Sequence, residues 1–359
     1  MKLFETIGEM GHQQVLFRHD PEAGLKAIIA IHSQELGPAM GATRLFPYTN
    51  EADALRDVLR LSRGMTYKAA CANLPVGGGK GVIIADPTHK NDSMLKAYGR
   101  FVESLKGQFI TGQDVNLSPP DLRHIRCETD YVVGVEEKAG GPAPITAAGV
   151  LLGIKAAVEF KLQRQSLEGL KVAVQGLGNV GKTVAKLLAE HGAQLFVSDL
   201  KAANTEEVAD LYGAAIAPPN EIHALPVDVF SPCAMGGILN SQTIPQIQAG
   251  IIAGAANNQL EHEQQHGSML SAQNILYCPD YVINAGGLIN VYHDMVGYSD
   301  AKVLEGLNSI YSTLLEIFAK ASQLEITTHE AAKQLAEERI QRKKEGKREK
   351  GKGRALNES

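Results

Sequence analysis

The second half of the chain alternates short apolar runs with segments of helical periodicity. Four runs predict strands: KVAVQ (171–175), QLFVS (194–198), DVFSP (228–232) and GIIAG (250–254). Residues 146–160 and 179–191 have the apolar spacing of helices, and periodic apolar positions continue over 300–338. Continuous apolar strands that alternate with helices are typical of a parallel sheet covered on both faces. The pattern therefore predicts a doubly wound α/β domain closed by C-terminal helices.

The first half of the chain has a mixed α/β pattern. Three runs predict strands: AIIAI (27–31), GVIIA (81–85) and QFIT (108–111). Residues 51–70 predict an amphipathic helix, for which Asn50 is a suitable N-cap. The predicted buried face of this helix carries Leu55, Val58, Leu59 and Ser62. Ser118 followed by Pro119 predicts the start of a second helix.

A glycine and proline cluster at 140–144 marks the main boundary, because it cannot continue a helix or a central strand. We therefore expect two domains, over residues 1–141 and 142–338, and a separate tail over 339–359. Between Arg339 and Arg354, nine lysines and arginines stand against two glutamates. This stretch carries +7, so the rest of the chain carries −12 of the net charge of −5. Its composition predicts a basic, unfolded tail.

Composition excludes several classes of protein. Hydrophobic residues make up 44% and charged residues 21% of the 359 positions, as in a globular chain. We find no run of 18 apolar residues and no secretory signal, so no membrane association is expected. The four cysteines form no CxxC pair, which excludes a zinc ribbon and suits a cytoplasmic protein without a metal. A body at −12 is a poor surface for nucleic acid, whose binding depends on phosphate neutralisation.

The strongest local motif is KVAVQGLGNVG at 171–181, in which a strand passes through a glycine-rich turn into a helix. The turn comprises Gly176, Leu177, Gly178, Asn179, Val180 and Gly181. Glycines at this spacing permit a tight turn, close approach of a pyrophosphate, and helix–strand packing. Asp199 ends the next predicted strand, where a carboxylate would bind an adenosine ribose and repel a 2′-phosphate. The motif predicts a dinucleotide site that prefers NAD.

Three polar residues of the first domain lie in small, apolar sequence surroundings: Lys68, Lys80 and Asp114. The GGGK run before Lys80 is not a phosphate-binding P-loop, because Leu74 and Gly81 occupy positions that need glycine and serine or threonine. We expect these glycines to bring the backbone close to a ligand and to place Lys80 where water is scarce. Burial lowers the pKa of a lysine, which suits a general base.

Seven segments together resemble the leucine/phenylalanine/valine branch of the glutamate dehydrogenase superfamily. They are GPAMGATR (37–44), GMTYKAACANLPVGGGKGVII (64–84), ITGQDVN (110–116), PITAAGV (144–150), VQGLGNVG (174–181), IIAGAANNQL (251–260) and PDYVINAGGLINV (279–291). The resemblance extends over most of residues 3–335. It implies an N-terminal substrate-binding and oligomerisation domain, a Rossmann-type NAD domain and a homo-oligomer.

The same resemblance implies reversible oxidative deamination of an L-amino acid to a 2-oxo acid and ammonia, with NAD as the cofactor. Lys68 is expected to bind the substrate carboxylate, Lys80 to activate water, and Asp114 to move protons at the substrate nitrogen. The resemblance adds further cofactor contacts at Thr146, Cys233, Ala234 and Asn257. A catalytically silent regulator on this fold would be expected to lack one of the three catalytic residues, and all three are present.

Substrate choice depends on the positions that the resemblance places around the amino-acid side chain. These are Met40, Gly41, Ala42, Met65, Leu288 and Val291, with Gln113 beside Asp114. The first six are apolar, so a second substrate carboxylate would be buried without a partner. The segments GQDVN, KAACAN and GGLINVY are similar to those of family members that act on L-tryptophan and form indole-3-pyruvate. An indole-sized substrate is therefore expected, with leucine, other branched-chain amino acids or phenylalanine as the alternative.

Two other classes of protein make different predictions. A protein acting through the basic tail on an anionic partner would lose its function when the tail is removed. A 2-hydroxy-acid dehydrogenase would need a histidine–carboxylate pair, yet none of the eleven histidines lies within the motifs above.

Overall fold

The computed structural model describes residues 3–135 and 141–357, with side chains up to residue 346. It divides into two units. Of the described residues, unit 1 contains 3–135, Asp294–Val296 and 336–357, and unit 2 contains 141–293 and Gly297–Leu335. The main division falls at the glycine–proline cluster. The return of two later segments to unit 1 has no counterpart in the sequence pattern, because it depends on contacts between distant residues.

Unit 1 is built around a mixed sheet. Its elements before residue 136 are α1 (Leu3–Met10), β1 (Gln14–Asp20), β2 (Leu25–Ser33), β3 (Ala39–Met40), β4 (Thr43–Phe46), α2 (Glu51–Cys71), β5 (Gly77–Ile84), α3 (Asp92–Glu103), β6 (Phe109–Ile110) and α4 (Pro119–Arg126). The strand order is β1-β2-β5-β3-β6, and β4 also pairs with β5. Strand β2 is antiparallel to both β1 and β5, whereas β3 and β4 run parallel to β5.

Alternation along β2 supplies the two cores of this sheet. Ile28 and Ala30 pack with the buried face of α2, and Ile29 and Ile31 belong to the core that includes α3. The predicted helix is confirmed: Asn50 caps α2 by accepting from the backbone N–H of Asp53. Leu55, Val58, Leu59 and Ser62 are all buried, as their spacing predicts.

Unit 2 contains the predicted parallel sheet. Its elements are α5 (Pro142–Leu162), β7 (Lys171–Gln175), α6 (Asn179–Glu190), β8 (Gln194–Ser198), α7 (Ala202–Tyr212), β9 (Ala215–Ile216), β10 (Val229–Pro232), β11 (Ile251–Ile252), α8 (Glu263–Ala272), β12 (Leu276–Tyr277), α9 (Asp280–Ile283), most of α10 (Gly286–Val296), α11 (Asp300–Leu324) and the start of α12 (Thr328–Asn357). The order β12-β11-β10-β7-β8-β9 is parallel throughout. The order reverses direction between β7 and β10, which is the Rossmann-type arrangement.

Helix α5 is the core helix of unit 2. It is long and apolar enough to cross a membrane, with a mean hydropathy of 1.5 over its best window, but half of that window is buried inside the protein. Ala147, Val150 and Ile154 have no exposed surface. Gly141 precedes the helix and Pro142 opens it, so the predicted boundary cluster also supplies a helix start.

Residues 339–357, within the segment for which an unfolded tail is expected, have a helical backbone in the structure. Helix α12 continues through the basic stretch to Asn357, and Arg339 within it is half-buried. The Arg339 guanidinium donates to the carbonyl oxygens of Ala70 and Cys71 at 3.1 and 2.8 Å. These contacts join positions far apart in sequence, which the charge composition of the segment does not show.

Candidate active site

The glycine run before Lys80 is required by protein packing. A Cβ atom on Gly77 would lie 2.0 Å from the carbonyl oxygen of Ser33, and one on Gly78 would lie 2.2 Å from the backbone nitrogen of Thr66 in α2. On Gly79 it would meet the ring of Phe109. These glycines therefore let β5 lie against its neighbouring elements, and their expected approach to a ligand stays a prediction.

This packing buries Lys80 in the middle of β5. Its side chain is 8% exposed, and its Nζ atom lies 2.6 Å from Oδ2 of Asp114. Asp114 belongs to the loop between β6 and α4, and its side chain is 21% exposed. The structure thus joins two of the three predicted catalytic residues in one ion pair.

Burial and charge shift both groups of this pair. Burial lowers the pKa of Lys80 below its usual 10.5, Asp114 opposes this shift, and the charge of Arg44 adds to it. Burial would raise the pKa of Asp114, but Lys80 and Arg44 outweigh it and lower the pKa to about 2. Asp114 is therefore a stable carboxylate, and Lys80 loses its proton more easily than an exposed lysine does.

Arg44 is a site residue that the sequence analysis missed. It lies on β4, and its Nε donates to Oδ2 of Asp114 at 3.2 Å. One terminal nitrogen donates to Oδ2 of Asp57 at 3.0 Å, and Tyr48 donates to the same oxygen. Arg44 was visible in the quoted segment GPAMGATR, but spacing alone does not reveal that it contacts Asp114, which is 70 positions away.

Lys68 lies in the last turn of α2 and is half-buried. The crossing of α2 and β5 brings Thr66 against Gly78, two positions before each predicted lysine. Lys68 and Lys80 are therefore carried by two elements in direct contact within unit 1.

The predicted side-chain pocket residues divide between the units and differ in exposure. Met40 pairs with Gly78 and Ile110 in the sheet and is only 2% exposed. Gly41 is also buried, because a Cβ atom there would lie 1.7 Å from the carbonyl oxygen of Gly79. These two residues offer a ligand almost no side-chain surface. Ala42 and Met65 are half-buried and Gln113 is exposed in unit 1, and Leu288 and Val291 are half-buried on α10.

The glycine-rich turn has the geometry of a dinucleotide loop. Gly176 has a φ of +90°, and a Cβ atom there would lie 2.6 Å from that of Ala234. A Cβ atom on Gly181 would lie 1.9 Å from the carbonyl oxygen of Gly176. By contrast, Gly178 is exposed with open space around its Cβ position, directly before α6. The first amides of α6 have no partner within the helix, so the turn fits an anionic pyrophosphate.

Asp199 lies beside this turn. Its Oδ2 accepts from the backbone N–H of Leu177 at 2.6 Å, and its Oδ1 accepts from that of Lys201 at 2.8 Å. Burial would raise the pKa of Asp199, but these N–H groups outweigh burial and hold the pKa below its usual value. Asp199 is thus an ionised carboxylate with lone pairs left for a ribose hydroxyl.

The other predicted cofactor residues follow strand ends or a helix start in unit 2. Cys233 and Ala234 come directly after β10, and Asn257 follows β11. The side-chain oxygen of Asn257 accepts from the amide of Asn284 at 2.8 Å. Thr146 lies in the first turns of α5 and donates to the carbonyl of Pro142 at 2.8 Å. The carboxyl edge of a doubly wound sheet is where such folds bind ligands.

No metal-binding group competes with this interpretation within the described ranges. Among residues 3–135 and 141–346, no three histidine, cysteine, aspartate or glutamate side chains come together in a way that could hold a metal ion.

A Rossmann-type domain with this loop and a buried Lys–Asp pair are features typical of a nucleotide-dependent oxidoreductase. Comparison with known proteins narrows the class. A model of the Glu/Leu/Phe/Val dehydrogenase dimerisation domain matches residues 12–131. A model of the Glutamate/Leucine/Phenylalanine/Valine dehydrogenase domain matches residues 141–203 and 196–348. The chain belongs to the Glu/Leu/Phe/Val dehydrogenase family.

Individual relatives cover nearly the whole chain. An L-tryptophan dehydrogenase from Nostoc punctiforme is 63% identical over 97% of this chain and 98% of that protein. A leucine dehydrogenase from Geobacillus stearothermophilus is 47% identical over 95% of this chain and 94% of that protein. The crystal structure of L-tryptophan dehydrogenase from N. punctiforme aligns with a TM-score of 0.87 at 62% identity, over 95% of this chain and 99% of that one.

The predicted class is confirmed by these similarities. The protein is an amino-acid dehydrogenase and therefore an oxidoreductase. Dehydrogenases of this family use a nicotinamide cofactor.

Proposed function

We propose that the chain catalyses the NAD-dependent, reversible oxidative deamination of L-tryptophan to indole-3-pyruvate and ammonia. The observation that carries the chemistry is the buried ion pair of Lys80 and Asp114, 2.6 Å apart. The choice of tryptophan rests on the 63% identical L-tryptophan dehydrogenase, together with the apolar set of predicted pocket residues.

In this proposal each polar residue of unit 1 has one role. Lys68 stays protonated and binds the substrate carboxylate. Asp114 accepts and returns protons at the substrate nitrogen, and Lys80 takes a proton from the water that attacks the imino carbon. The lowered pKa of Lys80 supports its role as a base, because a general base works best when its pKa lies near the working pH.

A bound nicotinamide would supply the hydride acceptor that oxidation of the substrate amine to an imine requires. Water then adds to the imino carbon, and ammonia departs to leave the 2-oxo acid. The turn of Gly176–Gly181 would hold the pyrophosphate and Asp199 the adenosine ribose. Thr146, Cys233, Ala234 and Asn257 would complete the cofactor site.

Asp199 supports NAD as the cofactor in preference to NADP. Its carboxylate is ionised and already accepts from two backbone N–H groups. A 2′-phosphate at the same place would meet this negative charge, whereas a ribose hydroxyl can donate a hydrogen bond to it.

The test of this function is initial-rate formation of NADH from L-Trp, L-Phe, L-Leu, L-Val, L-Ile and L-Glu, each assayed with NAD and with NADP. The proposal predicts that L-Trp with NAD gives the highest kcat/KM. The similarity to leucine dehydrogenase makes the branched-chain amino acids the alternative, and their preference would overturn the choice of tryptophan alone. Bound NADH without turnover of any amino acid would indicate a silent regulator instead.

We also infer that the chain acts as a homo-oligomer in the cytoplasm. Residues 12–131 match a domain described as a dimerisation domain, and all four cysteines are free thiols. Light scattering during gel filtration should therefore give a mass that is a multiple of 38.5 kDa. A mass of one chain would contradict the inference.

A further inference from the structure

The oxygens of Asp114 are not used equally in unit 1. Oδ2 accepts from both Lys80, at 2.6 Å, and Arg44, at 3.2 Å. Arg44 is in turn held by Asp57 on α2, whose Oδ2 also accepts from Tyr48. Two cationic side chains, from β5 and β4, thus bind one oxygen of the carboxylate, and Asp57 and Tyr48 hold the second of these cations, Arg44, in place.

We propose that Arg44 is the fixed counter-ion of Asp114, which orients this carboxylate and supplies a permanent positive charge beside it while Lys80 gains and loses its proton during the reaction. This role is that of a positioning residue, and it rests on the function proposed for Lys80 and Asp114. It is distinct from binding the substrate, since both hydrogen-bonding contacts of Arg44 described above are to carboxylates of the protein.

The two cations around Asp114 differ chemically. An arginine keeps its charge at every pH at which proteins work, whereas a buried lysine can become neutral. When Lys80 is neutral, Arg44 is the cation left on Oδ2 of Asp114. The positive charge of Arg44 also disfavours the charged form of Lys80, and burial acts in the same direction. Arg44 therefore favours the neutral form of Lys80 and also remains as the partner of Asp114 once Lys80 is neutral.

Three charged or titratable side chains surround the Lys80–Asp114 pair among the described contacts. Arg44 faces it from β4, Asp57 faces it from α2 through Arg44, and Tyr48 contacts Asp57. The pKa of Lys80 is lowered first by burial, is raised by Asp114, and responds to Arg44 and Asp57 with opposite signs. Substitutions at Arg44 and Asp57 should therefore move the titration of Lys80 in opposite directions.

The experiment measures kcat/KM against pH with L-Trp and NAD, or with another amino acid if the substrate panel favours it. Activity should rise with pH as Lys80 loses its proton. Arg44→Gln removes the positive charge, so the rising limb should move to higher pH by about one unit. Arg44→Lys keeps a charge but cannot reach both carboxylates as a fork, so it should lower kcat while leaving the limb near that of the wild type.

Asp57→Asn removes a negative charge on the far side of Arg44, and its limb should move to lower pH. Arg56→Gln is the matched control, because Arg56 is exposed on the same helix as Asp57 and pairs only with Asp53 among its described ion-pair partners. Its profile should coincide with the wild-type profile. Melting temperature and NADH binding, followed by fluorescence, verify that each variant is folded.

The proposal would be overturned if kcat/KM of Arg44→Gln rose over the same pH range as that of the wild type. A purely structural role lowers kcat/KM equally at every pH and leaves that range unchanged. An Arg44→Lys limb displaced as far as that of Arg44→Gln, or an Asp57→Asn limb displaced upward, would also overturn the proposal. A wild-type protein that turns over no amino acid would overturn the proposed function and this role together. An active wild type with unshifted variant profiles would overturn the role of Arg44 alone.

Discussion

At the scale of single residues, the packing of strand β5, which carries Lys80, depends on the absence of side chains at its glycines. Gly78 lies where α2 crosses β5, and a Cβ atom there would lie 2.2 Å from the backbone nitrogen of Thr66. Backbone atoms cannot move aside as the end of a long side chain can. Either the helix or the strand would have to shift.

Gly78→Ala should therefore lower the free energy of unfolding by about 2 kcal/mol or more. Gly64→Ala is the matched control on α2, because a Cβ atom on Gly64 meets no atom within 4 Å. That variant should gain about 0.5–1 kcal/mol from helix propensity. Urea denaturation of both variants measures the two differences. Equal stability of the two variants would contradict the packing argument.

Lys80 gives a second prediction at this scale. Lys80→Ala should abolish turnover, because the proposed base is lost, while NADH binding stays within about threefold of the wild type. Lys26→Ala is the control, since Lys26 is exposed on β2 of the same sheet. Steady-state kinetics and NADH fluorescence titration measure the two properties. Simultaneous loss of NADH binding in Lys80→Ala would show that the residue has been given the wrong role.

At the scale of elements, helix α2 ends on a side chain from α12. The carbonyl oxygens of Ala70 and Cys71 accept from Arg339, and Tyr67 donates to Glu337 at 3.1 Å. Helix C-termini leave carbonyl groups without partners, and a cation there also complements the helix dipole. Arg339 thus stabilises the turn that carries Lys68.

Arg339→Ala should lower the free energy of unfolding by about 1–3 kcal/mol, because two charge-assisted hydrogen bonds are lost. Lys343→Ala removes an exposed cation one turn further along α12 and should change stability by less than about 0.5 kcal/mol. Thermal and urea unfolding provide the comparison. A loss in Lys343→Ala as large as that in Arg339→Ala would indicate a general charge effect instead of a cap.

An element can be predicted from the sequence when local residues determine it, and it is missed when contacts with distant residues determine it. Strands β7 and β8 match the predicted runs 171–175 and 194–198 residue for residue. A continuous apolar run indicates a buried strand without any knowledge of distant contacts. Strands β3 and β9 have two residues each and show no readable period. The contacts of Arg339 with residues 70 and 71 could not be predicted, because they join positions far apart in the sequence.

The candidate site follows the same logic. Lys68, Lys80 and Asp114 stand out in sequence because charged residues are uncommon among small, apolar neighbours. Arg44 was missed, since its importance lies in two carboxylates that the fold brings to it. The sequence indicates that the glycines of β5 lie close to a neighbour, but it does not show that Ser33, Thr66 and Phe109 are among those neighbours.

At the scale of the whole molecule, stability should depend on pH through two buried histidines of unit 1. His12 lies 2.8 Å from the Ser62 hydroxyl and His32 lies 2.8 Å from that of Thr66, with ring centroids 4.9 Å apart. Burial is the main cause that lowers the pKa of each from 6.5 to about 4. Both histidines are therefore neutral in the folded protein at neutral pH.

The sign of the pH effect follows from these values. Between pH 6.5 and about 4 the unfolded chain binds protons at His12 and His32 that the folded protein does not, so stability should fall as the pH falls through this window. Below about pH 4 this contribution should level off. Urea denaturation at several pH values measures the slope, which should be smaller in the variant His12→Gln/His32→Gln. His19→Gln, at an exposed position of β1, should keep the wild-type slope; an unchanged slope in the double variant would refute the assignment.

The cap on α2 also sets an order of events during synthesis. Arg339 follows Ala70 in the chain by 269 positions. At roughly 5–20 residues per second, a ribosome needs on the order of tens of seconds to cover that interval. Until then the end of the helix that carries Lys68 emerges without its guanidinium partner. The nascent first unit can fold its sheet early, but the last turn of α2 acquires its final support only after the nucleotide domain has been made.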